Sequence, residues 1–143
     1  MNKRTRLRLL VFFFFLCIAG SVARGSPGPA DKIVGTWRGT STCVDRVAAP
    51  SCTDEQVVYE VVAAADAPEK VTIKGDKIVD GKRVFMGELE YTLASDGSWT
   101  AEFQSPRVHS QWRLVVDGNR MSGTAILLPS KAVVRRMALE RKE

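Results

Sequence analysis

From Thr36 to Leu139 the chain repeats one pattern, short runs in which apolar and polar side chains alternate. Trp99, Ala101 and Phe103 share one face of their run, against Ser98, Thr100, Glu102 and Gln104. Val108, Ser110, Trp112, Leu114 and Val116 oppose His109, Gln111 and Arg113. Phe85, Gly87, Leu89, Tyr91 and Leu93 oppose Glu88, Glu90 and Thr92. Successive side chains of a strand point to opposite faces, so this period of two marks strands with one buried and one solvated face. The runs are predicted at Thr36–Val44, Gln56–Ala64, Lys70–Val79, Arg83–Leu93, Ser98–Gln104, Arg107–Val116, Arg120–Leu127 and Lys131–Leu139.

Asp80-Gly81, Asp96-Gly97 and Asp117-Gly118 fall between consecutive runs, and Pro129-Ser130 turns the chain into the last one. Asp-Gly supplies the positive φ values of tight hairpins, so consecutive strands are antiparallel neighbours. The expected fold is all-β: an eight-stranded antiparallel up-and-down meander closed into a barrel, which leaves no unpaired edge. A two-sheet sandwich is the alternative. The connection from 42 to 54 is longer than the others and holds Cys43 and Cys52.

Upstream of the first run the pattern changes. Lys3, Arg4, Arg6 and Arg8 precede an apolar run from Leu9 to Gly20, and Ser21-Val22-Ala23 supplies small residues. This is the layout of a signal peptide, with cleavage expected after Ala23. The run falls short of the roughly 20 apolar residues needed to span a bilayer. Residues 1–23 are therefore read as signal peptide, 24–31 as a flexible Pro- and Gly-bearing leader, and 32–143 as one barrel domain. The implied location is secreted or periplasmic, with no stable membrane insertion once the signal is removed.

That division changes the charge balance. The whole chain carries a net +5, with 21 basic and 16 acidic residues. Four of the basic residues and none of the acidic ones lie in the signal segment, so the rest is nearly neutral. Nucleic-acid binding loses its electrostatic support. Cys17 leaves with the signal, and Cys43 and Cys52 remain as an even pair in an oxidising compartment, read as a disulfide.

Gly35-Thr36-Trp37 opens the first strand and suggests a barrel whose bottom is plugged by the indole. The longer segment Asp31-Lys32-Ile33-Val34-Gly35-Thr36-Trp37-Arg38, followed by a meander with Asp-Gly turns, resembles the opening of the lipocalins and fatty-acid-binding proteins, the calycins. The chain is most similar to exported lipocalin-like proteins of bacteria. The resemblance implies an Arg near the end of the last strand lying across Trp37, with Arg135 or Arg136 as candidates. The rest of the Lys131, Arg135, Arg136, Arg141 and Lys142 cluster is read as a solvated end. The lipocalin Thr-Asp-Tyr turn is replaced by Asp117-Gly118-Asn119. The fatty-acid-binding Arg-x-Tyr finds only Arg135-Arg136-Met137, so no known head-group site carries over.

The predicted interior mixes bulky side chains with Gly39, Ser41, Gly87, Ala101, Ser110, Gly123 and Ala125. If the small residues fall at one level they leave a cavity for a small apolar or amphipathic ligand, lined by Tyr59, Tyr91, Trp99, Phe103 and Trp112. If bulky neighbours fill the space, the barrel is simply packed. A second function class is a protein-binding or inhibitory module acting through the disulfide-tied loop 43–52, pre-organised for docking. Catalysis is not expected. His109 is the only histidine and faces outward, and no nucleophile elbow accompanies it. No P-loop, dinucleotide fingerprint, zinc spacing or calcium loop occurs, so neither cofactor nor metal is expected.

Overall fold

A computed structural model describes residues 27–143; the signal segment lies outside the described residues. A short 3-10 helix, Pro29–Lys32, leads into eight strands: β1 Gly35–Cys43, β2 Glu55–Ala64, β3 Ala67–Val79, β4 Lys82–Leu93, β5 Trp99–Gln104, β6 His109–Asp117, β7 Arg120–Leu127 and β8 Val133–Lys142. Each pairs antiparallel with the next and β8 closes onto β1, giving one up-and-down barrel. The closed barrel excludes a sandwich of two sheets. The 3-10 helix begins inside the stretch read from sequence as leader. Gly28 N–H donates to Asp31 Oδ2 at 2.6 Å, and Ala30 is buried against the barrel.

The two ends of the barrel differ. The end where β1 begins is closed by the incoming chain and a cluster including Ile33, Trp37, Val61, Val71, Trp99, Leu114, Met121 and Leu139. Trp37 is fully buried, and its Nε1–H donates to Ile33 O at 2.8 Å, so the one polar atom of the plug is satisfied. The opposite end carries the long β1–β2 connection and the Asp80-Gly81 turn, whose φ values of 50° and 75° are those a two-residue hairpin requires. Cys43 and Cys52 form a disulfide with a Cα–Cα distance of 5.9 Å. Replacing both by Ser should lower stability by roughly 2.5 kcal/mol in the chain-entropy picture, read as a reduced midpoint in urea.

The turn between β4 and β5 is held by Asp96. Its carboxylate accepts from Ser98 Oγ at 2.6 Å, from Ser98 N–H at 3.0 Å and from Arg113 Nη2 at 2.9 Å. The Ser98 hydroxyl, then its N–H, then Arg113 hold this carboxyl well below the usual carboxylate range. A depressed folded pKa contributes stability in full above the ordinary value of about 4, and loses it progressively as pH falls toward the folded value. Asp96→Ala should therefore lower Tm at neutral pH, and its gap to wild type should narrow on acidification in thermal melts.

Candidate ligand cavity

Register fixes which side chains point inward. From Trp37↔Tyr59 and Gly39↔Val57, the inner face of β1 carries Trp37, Gly39 and Ser41, and that of β2 carries Glu55, Val57, Tyr59 and Val61. The inner face of β3 carries Val71, Ile73, Gly75 and Lys77, opposite Tyr91, Leu89 and Gly87 of β4. β5 and β6 add Ala101, Phe103, Ser110 and Trp112, and β8 adds Arg135 and Met137. Ser41, Gly75 and Gly87 are small, and toward the open end they leave a cavity of about 620 Å³. Tyr59, Ile73, Leu89, Tyr91, Phe103 and Trp112 form its apolar wall.

Of the five aromatic candidates from the sequence, Tyr59, Tyr91, Phe103 and Trp112 come together around this space. Trp99 does not. It starts β5 beside the closed-end turn and belongs to the buried cluster of Trp37 and Leu114. Not all the small residues make room for the cavity either. At Gly39 a Cβ would meet the backbone of Ala138 and Leu139, and at Gly123 it would meet Leu114 Cδ2 at 2.5 Å and Arg113 O at 2.7 Å. Those two glycines allow close strand approach. Phe85, expected inside, is 60% exposed. The register shifts between Gly75↔Gly87 and Asp76↔Phe85, so Met86 is an extra residue and the alternation reverses beyond it. Phe85 then lies outside, with Lys74 Nζ 5.8 Å from its ring.

The cavity has a polar pole that the sequence reading did not assemble. Arg135 donates to Ser41 Oγ at 2.9 Å and to Thr53 O at 3.1 Å, and its Nη1 lies 3.4 Å from Glu55 Oε2. Lys77 Nζ approaches the other Glu55 oxygen at 3.7 Å. The available signal was parity, since Glu55 and Lys77 fall on the inward positions of β2 and β3. Burial pushes the Tyr59 phenol up to about 12, with Arg135 opposing and Glu55 reinforcing the shift. Tyr91 is also shifted upward, by burial and then by Tyr59. Both phenols are neutral at physiological pH. Two cations face one carboxylate, so the pole carries excess positive charge.

The Arg over Trp37 is neither Arg135 nor Arg136. Arg141 lies with its guanidinium carbon 4.2 Å from the ring centroid, and donates to Val34 O and, at 2.6 Å, to Lys32 O. Register explains the correction. Arg141 pairs with Trp37, whereas Arg135 pairs with Cys43, six strand residues and about 20 Å away at some 3.3 Å per residue. Arg136 is exposed on the outer face. β8 runs on to Lys142, so Arg141 belongs to the barrel wall rather than to a solvated tail.

His109 lies on the outer face, hydrogen-bonded to Glu102, while Ser110 points inward, so the pleat separates them. Among the described residues no group of three or more His, Cys, Asp or Glu is placed to hold a metal ion. No helix among them is long and apolar enough to cross a membrane.

No family model and no curated protein matches the sequence. Among solved structures the chain is similar to the S-type phycobiliprotein lyase CPES from Guillardia theta, at 13% identity over 80% of this chain and 90% of that one, with a TM-score of 0.48. It is also similar to the siderocalin Ex-FABP, at 9% identity over 78% of this chain and 74% of that one, with a TM-score of 0.49.

Proposed function

We propose that this chain is an exported binding protein that holds a small amphipathic molecule in the open half of its barrel, and that it is not an enzyme. The observation that carries this reading is the cavity of about 620 Å³, with neutral aromatic walls and a charged pole at Arg135, Lys77 and Glu55. A concave apolar site with few convergent polar groups is the usual form of a small-molecule pocket. Export is supported by the Cys43–Cys52 disulfide, a bond that persists in oxidising compartments.

The test uses 1-anilinonaphthalene-8-sulfonate, an anionic aromatic dye, with Gly75→Leu as the blocking variant. A Cβ at Gly75 would sit 3.5 Å from the Tyr59 ring, so the rest of a leucine side chain must occupy the cavity. Wild-type protein should bind the dye, and Gly75→Leu should weaken it at least roughly tenfold, a loss of about 1.4 kcal/mol. Equal affinity in both proteins places the dye elsewhere and removes the reading.

A second reading, a protein-binding loop, is favoured by one observation. Val47 is 93% exposed in the disulfide-tied segment, where Asp45 Oδ1 pins the backbone by accepting from Val47 and Ala48 N–H. Native mass spectrometry on protein from its own host separates the two. A co-purifying small molecule supports the cavity, and a stoichiometric protein partner that is lost on Val47→Asp supports the loop.

A further inference from the structure

The barrel wall is not zipped along its whole height. β4 and β5 pair only at Thr92↔Thr100 and Leu93↔Trp99, both beside the closed end. Beyond these pairs β4 bonds to β3 and β5 bonds to β6, while the two facing edges carry no ladder. The cavity reaches this gap, since Val84, Met86, Gly87 and Leu89 on one side and Phe103 on the other line it. Phe103 points inward by register, yet it is 42% exposed, because the wall beside it is open.

Charge works against continued pairing of the two strands. Continued in the same register, the pairing would set Glu90 opposite Glu102 on the outer face, with Glu88 one step further along. Like charges directly opposite one another destabilise a strand pair. Each acid is instead engaged on its far side: Glu90 by Lys70 at 2.7 Å, and Glu102 by His109. The extra residue at Met86 adds a local bend to β4 on the same stretch. On the inner face the same continuation would bring Leu89 opposite Phe103, an apolar pair that the split leaves apart.

We propose that this lateral split is the ligand's entrance, that the Glu90/Glu102 repulsion holds it open, and that the ligand is a chain-like amphiphile thin enough to pass between two strands. The rim of the split is apolar, with Val84, Met86 and Phe103 all exposed. The top of the barrel, by contrast, is tied by polar contacts, with Arg135 joining β8 to Thr53 and Glu55. On the lateral route an apolar tail meets Met86 and Phe103 before the cavity, and the head group reaches the Arg135–Lys77 pole last. The inference rests on the ligand reading above.

Glu102→Lys tests it. The substitution turns the repulsion into attraction toward Glu90 and Glu88, and Glu102→Gln removes the repulsion alone. In Glu102→Lys, amide exchange of residues 84–91 and 101–104 should slow as the seam closes. Stopped-flow association and dissociation of 1-anilinonaphthalene-8-sulfonate should both slow by roughly five- to tenfold, with Kd little changed and Glu102→Gln intermediate. Slowed exchange with unchanged dye kinetics overturns the entrance, because the dye then uses the open end. Unchanged exchange in Glu102→Lys overturns the charge-held seam. A wild-type protein that binds no dye removes the ligand reading itself, a result distinct from either.

Discussion

Trp37→Ala should be among the most damaging single substitutions in this chain, with an expected loss of roughly 3–5 kcal/mol, the range for truncating a buried large aromatic. In a domain of this size that lowers Tm by at least about 10 °C, measurable by circular dichroism. The size follows from three contributions meeting at one residue. The indole is fully buried at the closed end, its N–H is satisfied by Ile33 O, and Arg141 covers its face. Arg141→Met keeps the aliphatic cover but loses the donations to Val34 O and Lys32 O and the charge over the ring. A loss of roughly 1–3 kcal/mol is expected, and the double mutant should show a coupling of about 0.5–2 kcal/mol with Trp37. Arg136→Met, on the exposed outer face, should stay within about 0.5 kcal/mol of wild type. Dye binding in Arg141→Met should persist at temperatures where the protein is folded, since cap and cavity sit at opposite ends. A costless Arg141→Met would refute the cap.

That contrast shows where the sequence was informative. Period-two alternation and three Asp-Gly turns specify a meander, because both are local properties of the backbone and its solvent exposure. The strand bounds read from them fall within a few residues of those found. The plug at Trp37 was equally legible. Its partner was not, because which Arg meets Trp37 depends on how β8 pairs with β1, a contact between residues about a hundred positions apart. The reversal at Met86 is of the same kind. Nothing local in Val84-Phe85-Met86-Gly87 announces an extra residue, yet it moves Phe85 from the inside to the outside. The charged pole was within reach, since Glu55 and Lys77 occupy inward positions on otherwise apolar faces. The open seam required register first, because Glu90 and Glu102 oppose one another only once Thr92 is known to pair with Thr100.

Gly39→Ala and Gly75→Ala are the same chemical change on the same inner surface, and they should have opposite outcomes. At Gly39 the added carbon would run into the Ala138 carbonyl oxygen and lie 2.7 Å from Leu139 Cα and 2.9 Å from the Ala138 carbonyl carbon. All three are backbone atoms, so no rotamer change relieves them. The only response is to push β8 away from β1, and that pair is the junction that closes the barrel. The expected cost is more than about 4 kcal/mol, beyond ordinary overpacking, because ladder hydrogen bonds and the wall over Trp37 yield together. At Gly75 the nearest atoms are Tyr59 Cε1 at 3.5 Å and Met86 Cε at 3.6 Å, ordinary van der Waals neighbours at the cavity edge. There a methyl group costs no strain and reduces the freedom of the unfolded chain, a gain of roughly 0.5–1 kcal/mol. Urea denaturation of the two variants beside wild type reads both signs at once. A Gly39→Ala protein as stable as wild type would mean that β1 and β8 do not approach this closely. A Gly75→Ala protein destabilised like Gly39→Ala would mean that the space beside Tyr59 is filled rather than open.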